Sequence, residues 1–273
     1  ERDVFPFIGE MPIAEIKAKI VIEALEPVKA KGALETLKRL IQRINEIMIY
    51  AVNAGIIEVN PTSGIRHIFA KPQKKNMPTL KPEQLPELMF TLAKASITLQ
   101  TRCLIEWSLH TMVRPSEAAG TRWDEIDIKN KIWTIPAERM KKRKPHSIPL
   151  TAQSLLLLEV MRPISGHRDF VFPSHKDPKQ PTNNQTANAA LKRMGFDKLL
   201  VAHGLRALAS TTLNEQGFDS DVIEAALSHV DKDDVRRAYN RTDYFNRRIE
   251  LMKWWSDHIQ QAARGNLSLA IAV

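Results

Sequence analysis

Apolar positions recur at helical spacing most clearly between Ala33 and Ala54, where Leu37, Ile41, Ile44 and Met48 fall on one face and Gly55 supplies the stop. The spacing predicts a long amphipathic helix, the first clear element of the chain. Lys38, Arg39 and Arg43 lie among these positions, as either a solvated face or a DNA-contacting one. Between Asn60 and Pro82 the pattern breaks: Pro61, Pro72, Pro78 and Pro82 punctuate a polar stretch containing Lys71, Lys74 and Lys75, which reads as an interdomain linker. Thr79-Leu80-Lys81-Pro82-Glu83 then has the form of a helix start, with proline in the first turn and an acid behind it. A helical domain over residues 1–74 and a second domain over 75–273 are expected.

The second domain opens with helical patterning through about Met112. Across Trp123 to Leu150 the period changes, and Ile126, Ile128, Ile132, Trp133, Ile135 and Ile148 suggest short strands, with Lys129-Asn130-Lys131 as a tight turn between two of them. Beyond Thr151 helices return, interrupted by the polar stretch Pro173 to Asn184. The expected fold is mainly α with a small antiparallel β-sheet.

Composition adds a bias toward a polyanionic partner: 40 basic against 31 acidic residues give a net charge of +9 in a chain of 273. Cys103 is the sole cysteine, in an apolar context that suits a buried thiol, so an intrachain disulfide is excluded and a reducing cytoplasm is expected. No apolar run reaches the roughly 18 to 20 residues that span a bilayer, so no membrane partner is expected. The start at Glu1 has neither an initiator methionine nor a signal-peptide pattern, as in a fragment of a longer protein.

Four dispersed segments carry candidate chemistry. Arg114 in VRPSEAAG precedes Pro115, which favours an extended arginine at the first turn of a new helix, within reach of Glu117. Arg139, Lys141, Lys142, Arg143, Lys144 and His146 crowd a segment between two expected strands, a hairpin tip too charged for a core. It is either a solvated loop or a finger that enters a DNA groove and delivers one lysine as proton donor; charge does not say which lysine. His203 and Arg206, three apart at a helix start, share a face and could reach one phosphate. His229 ends a further helix, begun at Asp219 or Ser220, and Tyr239 follows among Arg236, Arg237 and Arg241, cations that lower the cost of a phenolate. No carboxylate cluster accompanies these residues to hold a metal.

The order Arg, Lys, His-x-x-Arg, His, Tyr, with AHGLRALAST, LSHVDKDDVRRAYNR and the trailing MKWWSDHI, resembles the catalytic domain of the tyrosine recombinases, most closely the integrases of prophages and genomic islands. The likeness covers residues 78 to 258, and INEIMIYAVNAGIIEVNPTSGI is similar to their core-site DNA-binding domain. It implies a site-specific recombinase in which Tyr239 attacks the scissile phosphate to form a 3′-phosphotyrosyl bond. Lys141 would protonate the leaving 5′-oxygen, Arg114 and Arg206 brace the nonbridging oxygens, His203 assist proton movement, and His229 hold an oxygen of the same group. Lys141 is chosen by counting back from Ile148-Pro149-Leu150.

The resemblance further implies a DNA clamp, with Lys38, Arg39, Arg43, Lys142, Arg143, Lys144, Arg236 and Arg237 on the backbone. Its partners would be duplex core attachment sites, further protomers in a tetramer, and accessory DNA-bending and excision factors. No cofactor or metal is needed, and the setting is the host cytoplasm at the nucleoid. Members usually carry an arm-binding domain at the N-terminus, and nothing here resembles one. Tyr244 is a rival nucleophile. A type IB topoisomerase, a catalytically silent DNA binder and a metal-dependent nuclease are the competing classes.

Overall fold

The computed structural model describes residues 3–73, 76–229 and 243–264. The chain divides into two compact units, Glu1–Asn76 and Met77–Val273.

In the first unit, α1 (Phe5–Ile8) leads into α2 (Ala18–Ala30) and the long α3 (Leu34–Asn53). The stripe on α3 is buried as its spacing requires, with Leu37, Ile41, Ile44 and Met48 packed against Val21, Leu25 and Val28 of α2. Each such side chain contributes about 1.5–3 kcal/mol on leaving water. Helix α2 is an element the sequence reading lacked: Pro27 sits inside it, without the N–H that would bond the Glu23 carbonyl. The linker reading also needs correction. Ile65 and Phe69 are buried in the core of the first unit, so the stretch from Asn60 to Phe69 belongs to that unit despite Pro61.

The second unit is built on α5 (Leu99–Thr111), which is buried around its whole circumference. Around it lie α4 (Leu85–Lys94), α6 (Pro115–Ala119), α7 (Ala152–Ser165), α8 (Thr186–Leu191), α9 (Gly204–Glu215), α10 (Ser220–Ala226) and α11 (Phe245–Ala262). Cys103 lies on α5, and burial pushes its thiol up to about 12, so it is an inert core group. The sheet is antiparallel in the order β1 (Ile126–Asp127), β2 (Ile132–Ile135), β3 (His146–Pro149), with Trp133 opposite Ile148 and Ile135 opposite His146. Trp133 and Ile135, two apart, point to the same face and are fully buried; the Trp133 ring meets Trp107 of α5 at 5.1 Å. Among the described residues no helix is long and apolar enough to cross a membrane.

The charged hairpin between β2 and β3 is less exposed than its composition implies. Met140 and His146 are buried, which leaves 141–145 as the exposed tip. A glycine is required at Gly204, because a Cβ there would run into the carbonyl of Pro78; Thr79 meanwhile donates to the Gly204 carbonyl at 2.8 Å. This contact ties the start of the second unit to the start of α9.

Two buried histidines make stability depend on acid. His110 Nδ1 meets Ser256 Oγ at 2.9 Å, and Ser256 meets the N-cap Thr151 at 3.0 Å, joining α5, α7 and α11. Burial pushes His110 down to about 3; burial, with Arg248 alongside, pushes His146 down to about 4. Unfolded histidines take up protons as the pH falls through about 6.5, and these two folded ones do not. Stability is therefore complete above that pH and declines below it, by about 2 kcal/mol per histidine at pH 5. Urea unfolding at pH 7.5 and pH 5 should show this loss, and His110→Asn should reduce the difference between the two midpoints; an unchanged difference would rule out His110 as a source.

Candidate active site

Two helix ends and one helix start converge. Helix α5 ends at Thr111, and the chain leaves through Met112 in the left-handed region (φ 55°). Helix α10 ends at Ala226, and Ser228 is likewise left-handed (φ 51°). Helix ends leave carbonyl groups without intrahelical partners. Here arginines take them: Arg206 Nη1 donates to the Met112 carbonyl and Nη2 to the Leu227 carbonyl, both at 2.6 Å. Arg114 Nη2 donates to the Ser228 carbonyl at 3.2 Å. The two guanidinium groups thus hold successive carbonyls at the end of α10, where a helix end favours positive charge.

Arg114 is the N-cap of α6 and is set in extended backbone (φ −69°, ψ 149°) by the proline that follows. Glu117 takes both its main-chain N–H at 2.8 Å and its Nη1 at 2.9 Å. Arg206, in the first turn of α9, is 3% exposed. Burial and the neighbouring Arg114 lower it to about 10, with Glu117 and Glu224 opposing, so it stays charged at neutral pH.

His229 stands next to it. Arg206 Nη2 lies 3.2 Å from His229 Nε2, and His229 Nδ1 lies 2.8 Å from Glu224 Oε2. A guanidinium only donates and an ionised carboxylate only accepts, so this ring carries its proton on Nδ1 and accepts at Nε2. Donation from Nε2 to a phosphate oxygen would require a proton there. His203, the N-cap of α9, is pushed down by burial and then by the charges of Arg206 and Arg114, which leaves a neutral imidazole able to accept a proton at pH 7.

The structure therefore brings Arg114, Arg206, His203 and His229 together. Lys141, Lys142, Arg143 and Lys144 are exposed on the hairpin tip, and among the described residues no hydrogen bond or ion pair joins Lys141 to the arginines. Lys38, Arg39 and Arg43 are exposed on α3 and lie against carboxylates of their own helix: Lys38 and Arg39 against Glu35, Arg43 against Glu46. Such surface pairs are worth little and exchange readily for a phosphate. Arg236, Arg237 and Tyr239 lie outside the described residues. Tyr244 is the N-cap of α11; its hydroxyl lies 3.4 Å from Asp221 and its ring packs against the core. Sequence reasoning missed Glu224, whose only signal was an acid about one turn before His229. Among the described residues no group of three or more His, Cys, Asp or Glu side chains could hold a metal ion.

Residues 78–245 match the model of the phage integrase family, and residues 1–68 match the phage integrase central domain. The chain is 56% identical to the prophage integrase IntA of Escherichia coli K12 over 98% of its own length, and 33% identical to the integrase of enterobacteria phage P4 over 99%. It spans 65% of the length of each of those relatives. Its fold is shared with a lambda integrase (75-356) dimer bound to a COC′ core site (TM-score 0.65, 19% identity, 89% of this chain and 85% of that one). A lambda integrase tetramer bound to a Holliday junction is similarly alike (TM-score 0.66, 17% identity, 85% and 70%). The chain belongs to the phage integrase family.

Proposed function

We propose that this chain is the core-binding and catalytic part of a site-specific recombinase, which cleaves and rejoins duplex DNA through a 3′-phosphotyrosyl intermediate to integrate or excise a mobile element. The observation that carries the reading is the convergence of Arg114 and Arg206 on the end of α10, with His229 and His203 beside them. The first unit is the core-site DNA-binding domain and the second the catalytic domain.

In this mechanism the Tyr239 hydroxyl oxygen bonds to phosphorus as the bond to the 5′-oxygen breaks. The tyrosyl proton passes to neutral His203, and Lys141 gives a proton to the departing 5′-oxygen. Charge gathers on the nonbridging oxygens, where each fixed donor is worth on the order of 3 kcal/mol. Arg114 and Arg206 supply those donors already oriented by carbonyl groups and Glu117, so little reorganisation is needed. Attack by the next strand's 5′-hydroxyl reverses the proton transfers and releases Tyr239. The ester conserves the bond energy, so no nucleotide is consumed.

The basic side chains of α3 and of the hairpin tip track the phosphates, which makes affinity fall steeply with salt. Strand exchange needs several protomers, so a tetramer on two core sites, with accessory DNA-bending and excision factors, is the working assembly. It acts at the nucleoid in the cytoplasm of a bacterial host.

The test is to incubate the protein with a pool of nicked duplexes randomised over the core, in EDTA, and to recover DNA that stays protein-linked in denaturant. Linked duplexes sharing a core sequence are expected. Linkage only with a divalent cation, or none at all, would overturn the proposal.

A further inference from the structure

We infer that Arg139 is a positioning residue that fixes the base of the β2–β3 hairpin onto the helix bearing Arg114, so that Lys141 reaches the phosphate Arg114 holds. This rests on the reading of Lys141 as the proton donor. A loop running from Pro136 to Pro145 would by itself leave a lysine at its tip spread over many positions. The structure restricts that freedom on the β2 side. A 3₁₀ turn over Ala137–Arg139 is followed by the buried Met140, and the guanidinium of Arg139 is held at both ends.

Its Nη1 donates to Glu125 Oε1, and its Nη2 donates to the carbonyl of Glu117 at 3.1 Å. Glu125 is itself fixed, since its other oxygen accepts from Trp133 Nε1 at 3.0 Å and from the main-chain N–H of Arg122 at 3.2 Å. The Glu125 side chain is only 6% exposed, so the pair with Arg139 is sheltered from water and counts for more than a surface ion pair. Helix α6 makes room for the guanidinium: a Cβ on Gly120 would lie 2.6 Å from Arg139 Nη2. Glu117 joins the two arginines, because its carboxylate orients Arg114 while its carbonyl anchors Arg139.

Lys141 follows Arg139 by two residues, an extended span of about 7 Å at most. The far side of the tip is anchored again at the buried His146. The lysine therefore swings from a point fixed to the helix of Arg114, and misplacement of a reacting group by about 1 Å can cost on the order of 100-fold in rate. In the step affected, the Tyr239 oxygen bonds to phosphorus, the bond to the 5′-oxygen breaks, and the Lys141 proton moves to that oxygen while His203 takes the tyrosyl proton. Arg139 touches none of these atoms and acts through Lys141.

A sulfur atom in place of the bridging 5′-oxygen tests this, because a thiolate leaves without a proton. Single-turnover linkage would be measured on a nicked duplex recovered from the randomised pool, made with either oxygen or sulfur at the scissile position, for Arg139→Lys, Gly120→Ala and Lys141→Ala. Arg139→Lys keeps a charge without the fork that spans two acceptors, and Gly120→Ala keeps every charge but displaces the guanidinium. Both should lose about 10- to 100-fold on the oxygen substrate and regain nearly all of it on the sulfur substrate, as Lys141→Ala does. Equal losses on both substrates, or no loss on oxygen, would overturn the positioning role. Failure of sulfur to rescue Lys141→Ala would instead remove Lys141 as the donor, and the inference with it.

Discussion

Replacing Tyr239 by phenylalanine is expected to abolish covalent linkage to a nicked duplex while leaving duplex affinity nearly unchanged. The substitution removes one oxygen, the one that attacks phosphorus in the proposed mechanism, and keeps the ring. Removal of a nucleophile in comparable covalent enzymes costs on the order of 10⁶ in turnover. On the proposed reading, affinity comes from exposed cations such as Lys38, Arg39 and Arg43 on α3 and Lys142, Arg143 and Lys144 on the hairpin tip, whose charges the substitution leaves unchanged. Tyr244→Phe is the control. Tyr244 caps α11 with its hydroxyl at Asp221 and its ring against the core, so its loss should lower stability modestly and leave linkage intact. A denaturing gel decides between the two: linkage persisting in Tyr239→Phe, or vanishing only in Tyr244→Phe, would move the nucleophile.

Those two tyrosines illustrate what a linear sequence carries. Helix α3 was legible because its apolar spacing coincides with its buried face, and the starts of α6 and α9 because proline and motif residues mark them locally. Helix α2 was not, since a proline three residues from its end reads as a break, yet the helix continues through it with Val21, Leu25 and Val28 buried in the core of the unit. The stretch around Ile65 and Phe69 misled for the opposite reason, as two apolar anchors in a short, largely polar segment suffice to pack it on a core without any long period.

In the site, Arg114, Arg206 and His229 stood out by residue type, but what holds them did not. Met112 and Ser228 offer their neighbours' carbonyls or their own by adopting left-handed backbone, which nothing in a methionine or a serine encodes. Arg139 was grouped with a charged tip because its partners, Glu125 and the Glu117 carbonyl, come from other elements and meet it only after the sheet has closed on α6. Charge along a chain shows how much is present; burial decides which charges become structural.

Arg206→Ala should be the other large effect, and it should act on two quantities at once. In the folded protein the guanidinium is buried, charged, and bound to the Met112 carbonyl, the Leu227 carbonyl and His229 Nε2. Truncation leaves two carbonyls and a histidine nitrogen without that donor, at about 1–3 kcal/mol for each group that water cannot reach. On the proposed mechanism it also removes a donor to the transition-state phosphate, worth about 10²–10³ in rate. Arg114→Ala provides the contrast, since that side chain is 20% exposed and shares its site with Glu117, so rate should fall comparably with a smaller loss of stability. Arg206→Lys separates the terms: one ammonium cannot reach both carbonyls as a planar fork does, so stability should return in part and rate should not. Urea midpoints and single-turnover linkage on the same preparations measure both. Wild-type stability in Arg206→Ala would mean that the carbonyl clamp carries no energy, and a wild-type rate would mean that the phosphate is held by something other than the pair of arginines at the end of α10.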